Sequence, residues 1–175
     1  RMQEPKSNRR IFLLKAATTA AATAAASRLD IADHAFAGAG DSLKIGLVGC
    51  GGRGTGAASQ ALKADDYTEL TAVADIDQSQ VDNSLATLTK SPKISDRVKV
   101  EPSRAFLGLD AYQKVIDAGV EVVLLATPPG FRPRQLAACI DAGKHVFYEK
   151  PVSTDAPGIR SALETADKAK QKNLA

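Results

Sequence analysis

The sequence predicts an α/β fold built on a doubly wound parallel sheet. Short runs of Val, Ile and Leu alternate with longer segments whose apolar residues recur at helical spacing, which indicates strand–helix–strand units. A glycine-rich turn separates the first such strand from the first helix. The chain has five Phe, three Tyr and no Trp, so we expect a core made mainly of Val, Ile, Leu and Ala.

The predicted domain begins with a strand–helix–strand unit. Residues 43–48 form an apolar run bounded by glycine, which is typical of a buried strand. The helix predicted at 53–64 is rich in Gly and Ala, so it can lie close to a sheet. A second apolar run at 68–74 predicts the next strand.

The middle of the chain predicts two helices and a short strand. A helix runs from residue 79 or 80 to 90, with Val81 and Leu88 on one face. A short third strand is predicted at 98–100. The helix at 111–118 ends at a glycine, which is a common helix stop.

The last third of the chain repeats the alternation. Residues 121–126 contain four consecutive Val and Leu residues, which is typical of a parallel strand buried on both faces. A helix at 134–142 again ends at a glycine. A fifth strand is predicted at 145–148, and the final helix, from residue 155 or 156 to 172, has apolar residues along one face.

The basic excess of the chain is confined to its first 37 residues. The formal net charge is +3, yet residues 38–175 hold 17 basic and 17 acidic residues. The predicted domain therefore has no basic field that would attract nucleic acid or anionic lipid. Cys50 and Cys139 have no metal-binding spacing, and we expect neither a metal site nor a disulfide.

The first 37 residues are arranged like an export signal. Arg9 and Arg10 precede a short apolar run, an Ala- and Thr-rich stretch follows, and small residues around Ala37 fit a signal-peptidase site. The segment resembles a twin-arginine signal, although Asn8 stands where Ser or Thr is usual and Lys15 comes one residue late.

Alternative interpretations of this segment are an ordinary secretion signal, an amphipathic N-terminus and a membrane anchor. The apolar run is too short to span about 30 Å of hydrocarbon, so we expect no stable membrane span. We predict export to the periplasm by the twin-arginine machinery.

The glycine-rich turn has the spacing of a dinucleotide-binding loop. Gly49, Gly51 and Gly54 fit G-x-G-x-x-G, and they would serve the tight turn, the close approach to a pyrophosphate and the packing of the helix. The helix N-terminus would point free N–H groups at the phosphates. The candidate phosphate-binding residues are Gly49, Cys50, Gly51, Gly52, Arg53 and Gly54.

Asp75 ends the second predicted strand, 21 residues after Gly54. A carboxylate there can accept hydrogen bonds from the adenosine ribose and would repel a 2′-phosphate. The sequence therefore favours NAD over NADP, and Asp77 adds to the repulsion. Two alternatives are a glycine turn that binds nothing and a methyltransferase that binds S-adenosylmethionine.

Two further segments follow strands four and five, so they are expected at the same edge of the sheet. Thr127 and Pro128 are candidate cofactor contacts, although a plain proline turn is the simpler interpretation. Glu149 can contact the nicotinamide-side ribose, and Lys150 can hydrogen-bond a substrate hydroxyl and relay its proton. The alternative is a surface ion pair. We expect His145 to be structural.

Together these motifs resemble the glucose–fructose oxidoreductase/inositol dehydrogenase (Gfo/Idh/MocA) family. The matching segments are Ile45 to Gly54, Ala72 to Asp75, Leu125 to Pro128 and Ala142 to Pro151. The resemblance implies a Rossmann domain at 38–175 and NAD(P)-linked oxidation or reduction of a sugar, cyclitol or related polyol. It also implies a homo-oligomer, a Lys150 that touches the nicotinamide and the substrate and assists proton transfer, and an often cis bond from Lys150 to Pro151. The long match around Lys150 counts against a methyltransferase.

Two features set this sequence apart from the family pattern. Arg132 stands where family members commonly have a His that can bear on cofactor contact. The family's catalytic His belongs to a C-terminal domain, and we expect such a domain to follow, because the chain begins ahead of Met2 and stops in a polar helical stretch. The predicted function is an exported NAD(P)-dependent oxidoreductase, of which this chain would be the cofactor-binding half. A non-catalytic NAD-binding protein is the alternative.

Overall fold

A computed structural model describes residues 42–175, in which strands and helices alternate almost throughout. The predicted export segment lies outside the described residues. Within the described part, no helix has the length and apolar character needed to cross a membrane. The elements are β1 Leu43–Val48, α1 Gly52–Ala64, β2 Thr68–Asp75, α2 Gln78–Thr89, β3 Ala105–Leu107, α3 Ala111–Asp117, β4 Val122–Leu125, α4 Arg132–Asp141, β5 His145–Tyr148 and α5 Ala156–Gln171, with 3-10 turns at Ser95–Arg97 and Pro102–Arg104.

The five strands form one parallel sheet in the order β3-β2-β1-β4-β5. The strand order reverses beside β1, because the chain first moves outward through β2 and β3 and then returns to place β4 on the other side of β1. The predicted doubly wound sheet is therefore confirmed. A crevice opens beyond the carboxyl ends of the strands at such a reversal, which is where open α/β sheets bind their ligands.

The third strand does not lie where the sequence pattern placed it. The prediction at 98–100 is wrong, since Val98 makes only an isolated bridge to Leu70 and β3 is at Ala105–Leu107. The Lys99 N–H still donates to the Leu70 carbonyl at 2.8 Å, but Pro102 then begins a 3-10 turn that carries the chain away from β2. Pro cannot continue a hydrogen-bonded ladder, so pairing resumes only after this turn.

Helices cover both faces of the sheet, so β1, β2 and β4 carry apolar side chains on each side. Alternate residues of β1 show this, because Leu47 packs in the layer under α1 and α2 whereas Val48 packs in the layer under α3, α4 and α5. Each layer is a continuous cluster of buried residues that are mainly Val, Leu, Ile and Ala, as the composition predicted. The rigid sheet fixes the four chain segments that leave its carboxyl edge.

The two cysteines lie in different layers and are both free and buried. Burial raises the pKa of the Cys50 thiol to about 12, with a further contribution from the Asp75 charge. Burial likewise raises the pKa of Cys139 to about 12. Both thiols are therefore protonated at neutral pH and act as small apolar core groups.

Candidate cofactor site

The carboxyl ends of β1, β2, β4 and β5 bring the predicted site residues to one edge of the sheet. Gly49 follows β1, Asp75 ends β2, Thr127 lies just beyond β4 and Glu149 follows β5. The first three line a cleft of about 260 Å³. Its walls are Val48, Gly49, Gly51, Ala74, Asp75, Ile76, Gln80, Gly108, Leu109, Tyr112, Ala126, Thr127, Pro128, Phe131 and Gln135.

The glycine loop is shaped by two steric requirements. Gly49 has φ +96°, a conformation that side chains disfavour, and a Cβ there would lie 2.8 Å from the backbone carbon of Ala126. A Cβ at Gly54 would lie 1.8 Å from the Gly49 carbonyl oxygen. The first turn of α1 therefore rests directly on the backbone that ends β1, as the predicted role of the third glycine requires.

The N-terminus of α1 has no side-chain cap. Gly51 occupies the cap position, whereas Asp77 caps α2 and Asp155 caps α5 by accepting backbone N–H groups. A Cβ at Gly52 would meet open space. The first-turn N–H groups of α1 thus remain available to bind an anion, and no side chain of Gly51 or Gly52 covers them. Such a helix N-terminus suits a pyrophosphate.

Asp75 is held in place by backbone N–H groups from two segments. Its Oδ2 accepts from the Cys50 N–H at 2.6 Å, and its Oδ1 accepts from Ile76 at 2.7 Å and from Asp77 at 3.2 Å. The carboxylate therefore ties the glycine loop to the end of β2 and stands in the cleft with a fixed orientation.

Sequence reasoning missed the apolar walls of the cleft. Ile76, Leu109 and Phe131 are large apolar residues that are 69%, 65% and 49% exposed, and all three line it beside the buried Tyr112. Such walls suit a flat aromatic ring such as adenine. Large apolar residues in the loops after β2, β3 and β4 are the sequence signal for these walls, but no periodicity distinguishes them from ordinary loop residues.

The segment after β4 lies along the opposite wall of the cleft. The Ala126 N–H donates to the Val48 carbonyl at 2.8 Å, which extends the β1–β4 pairing beyond the strand. The Thr127 hydroxyl donates to Gln135 Oε1 at 2.5 Å, so α4 holds this side chain. Pro128 also lines the cleft. The structure therefore brings Thr127 and Pro128 to the predicted place.

Glu149 and Arg53 pair with each other across the site. The Arg53 guanidinium donates to Glu149 Oε1, and the Glu149 side chain is 6% exposed whereas that of Arg53 is 58% exposed. The hydrogen bond from Arg53 is the largest of several effects that lower the pKa of Glu149, and the charge of Arg132 contributes. The carboxylate is therefore ionised at neutral pH, and it joins the glycine loop to the segment after β5.

Lys150 stands at the same edge with its side chain exposed. Within residues 42–175 its ammonium forms no ion pair, and the neighbouring Glu149 pairs with Arg53. The Lys150–Pro151 bond is cis, as the family resemblance implied. An exposed primary amine at this edge of the sheet can donate a hydrogen bond to a small ligand and exchange a proton with it.

Arg132 takes part in no predicted contact but is buried at the start of α4, with 6% exposure. Its Nε donates to the Thr127 carbonyl at 2.7 Å, and its Nη1 donates to the carbonyls of Glu149 and Pro151. The residue thus joins the segments after β4 and β5. The sequence singled it out only as a departure from a family pattern.

The residues present fit a nicotinamide dinucleotide. An uncapped helix N-terminus, a glycine surface without side chains, a fixed carboxylate and an apolar slot lie along one crevice. These are the groups that recognise pyrophosphate, ribose and adenine in doubly wound sheets. Among residues 42–175 no cluster of three or more His, Cys, Asp or Glu side chains is arranged to hold a metal ion.

Comparison with known proteins gives a consistent result. The family model described as "Oxidoreductase family, NAD-binding Rossmann fold" (GFO_IDH_MocA) matches residues 43–174. An inositol 2-dehydrogenase of Cereibacter sphaeroides is 32% identical over 123 residues, covering 70% of this chain and 32% of that protein. A glycosyl hydrolase family 109 protein of Shewanella pealeana is 26% identical over 136 residues, covering 76% of this chain and 28% of that protein.

A solved structure shows the same fold. The scyllo-inositol dehydrogenase of Lactobacillus casei with bound NAD(H) and scyllo-inositol has a TM-score of 0.58 and 26% sequence identity, over 77% of this chain and 35% of that chain. The chain thus spans about a third of the length of the proteins it matches.

The glycine loop yields a stability prediction with a matched control in the same helix. Replacing Gly54 by Ala forces a Cβ onto the Gly49 carbonyl, so we expect the free energy of unfolding to fall by about 2–3 kcal/mol. The same change at Gly56 meets nothing within 4 Å and should raise it by about 0.5–1 kcal/mol, since Ala favours a helix. Urea unfolding of the two variants measures the difference. Equal effects would contradict the close contact.

Proposed function

This chain belongs to the GFO_IDH_MocA oxidoreductase family, and from that premise we propose that it binds NAD as part of an oxidoreductase acting on a CH–OH group. The substrate class proposed is a sugar, cyclitol or related polyol. The observation that carries the proposal is the position of Lys150. Its exposed amine lies at the edge of the sheet where the glycine loop and the cleft also lie.

The proposed role of each residue follows from its position at the carboxyl edge of the sheet. The N–H groups at the start of α1 bind the pyrophosphate, and Asp75 accepts from the adenosine ribose. Bound NAD supplies the capacity to accept or return a hydride. Lys150 donates a hydrogen bond to the substrate oxygen, orients it and relays the proton that the hydroxyl loses on oxidation.

Relatives support this substrate class without identifying the substrate. The matched relatives include an inositol 2-dehydrogenase, and the solved structure is a dehydrogenase with scyllo-inositol bound. We propose a small polyhydroxylated substrate of this kind. From the family resemblance we also propose that the whole protein is a homo-oligomer.

Hydrolysis of glycosides is a second candidate function, favoured by the similarity to a glycosyl hydrolase family 109 protein. The two candidates differ in their net reaction. A dehydrogenase accumulates NADH in proportion to product, whereas a hydrolase releases an alcohol from a glycoside with no net change in NAD. Assays of the whole protein with myo-inositol and NAD, and with aryl glycosides, separate them.

The proposed cofactor preference is NAD over NADP, and it rests on the fixed charge of Asp75. We expect Asp75→Ser to weaken NAD binding by about 10- to 100-fold, because a charge-assisted hydrogen bond contributes about 1.5–3 kcal/mol. Binding of NADP should weaken much less, since the repelling charge is gone. Fluorescence titration with both cofactors measures the ratio.

Asp77→Ser is the matched control for this prediction. It removes a nearby negative charge, yet Ser can still cap α2. We expect its NAD affinity to stay close to that of the wild type. An unchanged NAD-to-NADP preference in Asp75→Ser would contradict the assignment.

The proposed role of Lys150 predicts a selective loss of turnover. In the whole protein, Lys150→Ala should lower kcat by about 10²-fold or more, the usual contribution of a positioned acid or base. NAD affinity should change little, because the glycine loop and Asp75 are untouched. Lys114→Ala removes an exposed lysine from α3 and is the control. Normal turnover by Lys150→Ala would contradict the proton-relay role, whereas a whole protein that binds NAD but oxidises no polyol would favour a non-catalytic NAD-binding protein.

We further propose that the protein reaches the periplasm through the twin-arginine machinery, with cleavage near Ala37. The support is the order of charged, apolar and small residues in the first 37 positions. A route for folded proteins suits an enzyme that must acquire a cytoplasmic cofactor before it crosses the membrane.

The paired arginines provide the test of export. Replacing Arg9 and Arg10 by Lys keeps the charge of the segment and removes the twin-arginine motif. We expect the full-length variant to accumulate in the cytoplasm, measured by cell fractionation and immunoblotting against a periplasmic marker. Continued periplasmic accumulation at the wild-type level would contradict this route.

A further inference from the structure

We propose that Arg132 is a positioning residue, which fixes the peptide that carries Lys150 against the segment after β4. The inference rests on the proposed role of Lys150 and assigns a task to a residue outside the predicted site. Its guanidinium donates to the carbonyls of Glu149 and Pro151, the residues on either side of Lys150. The backbone is therefore held immediately before and after the proposed proton relay.

The same guanidinium is anchored at its other end. Arg132 Nε donates to the Thr127 carbonyl at 2.7 Å, and Thr127 is itself held by α4 through Gln135. Arg132 is the first residue of α4, so its own backbone belongs to a helix packed on the sheet. The guanidinium thus connects a rigid helix, the cleft wall and the Lys150 peptide.

The chemistry of the side chain explains why an arginine performs this task. Its planar group has five N–H donors in fixed directions, so it can reach carbonyls on two segments at once, whereas lysine has a single nitrogen. Burial lowers the pKa of Arg132, and the Glu149 charge opposes this effect. The guanidinium remains protonated, because no protein environment neutralises arginine readily.

The expected consequence falls on the segments that Arg132 holds, which are the Lys150 peptide and the backbone at Thr127. Arg132 donates its hydrogen bonds to Thr127, Glu149 and Pro151 and none to the glycine loop or Asp75, so its loss should leave the pyrophosphate and ribose groups in place. A loosened Lys150 would sample orientations away from the substrate oxygen, and a misplacement of about 1 Å can cost on the order of 10²-fold in rate. Turnover should therefore fall while cofactor affinity persists.

The test compares Arg132→Lys with Arg134→Lys in the whole protein. Arg134 lies two residues further along α4, is 73% exposed and pairs only with Asp110 and the Tyr112 ring among the described residues. Amide hydrogen exchange is measured with NAD present. For Arg132→Lys we expect the Glu149 amide, which donates to the Leu125 carbonyl at 3.0 Å, and the adjacent Lys150 amide to exchange about tenfold faster or more, with β1 and β4 unchanged. NAD affinity should stay within about threefold, and Arg134→Lys should resemble the wild type.

Two results would overturn the proposal. One is unchanged exchange around Lys150, and the other is faster exchange throughout the domain, which would mark Arg132 as a general stabilising residue. Neither depends on finding the substrate, so the outcome stands even if Lys150→Ala shows normal turnover. With myo-inositol as the probe, the proposal further requires that Arg132→Lys lower kcat in the wild type but not in the Lys150→Ala background.

Discussion

The first turn of α1 lies directly on the backbone that ends β1, and the remainder of the site depends on this contact. Only glycine at position 54 permits it, because any Cβ would occupy the Gly49 carbonyl. The contact places the helix N-terminus over the carboxyl edge of the sheet, with its free N–H groups facing the crevice. It also brings the Cys50 N–H to Asp75 and Arg53 to Glu149. The close contact between α1 and β1 thus sets the position of the glycine loop relative to both Asp75 and Glu149.

The charges of Arg53, Glu149 and Arg132 connect the glycine loop, the segment after β5 and α4. The Glu149 carboxylate lies between Arg53 on the glycine loop and Arg132 on α4, so a negative charge with little exposure is compensated from two directions. Because its pKa is lowered in the folded chain, its contribution to stability is present at neutral pH and is lost as the pH falls through that lowered pKa. The pairing also leaves the Lys150 ammonium without a carboxylate partner among the described residues, which keeps it available to a ligand.

Parallel topology explains why so much of the site was predictable. Once strands are recognised from the apolar runs at 43–48, 68–74, 121–126 and 145–148, the residues that follow them must meet at one edge of the sheet. The short edge strand β3 was misplaced, since three residues carry no reliable pattern and a proline turn displaced the pairing. The pairing of Arg53 with Glu149 spans 96 positions, and no local rule predicts it. The Arg132 contacts likewise depend on how two loops approach in space.

The hydrogen bonds of Asp75 limit how a ribose can be recognised at this edge. A carboxylate offers about four acceptor positions, two on each oxygen. Oδ1 already accepts from Ile76 and, more weakly, from Asp77, whereas Oδ2 accepts only from Cys50 among the described residues. One strong position therefore remains, on the oxygen nearer the glycine loop, and a second ribose hydroxyl must displace the long contact at 3.2 Å from Asp77. Asp75 thus stabilises the glycine loop as well as recognising the ribose. Its hydrogen bonds to the backbone fix the negative charge where a 2′-phosphate would have to lie.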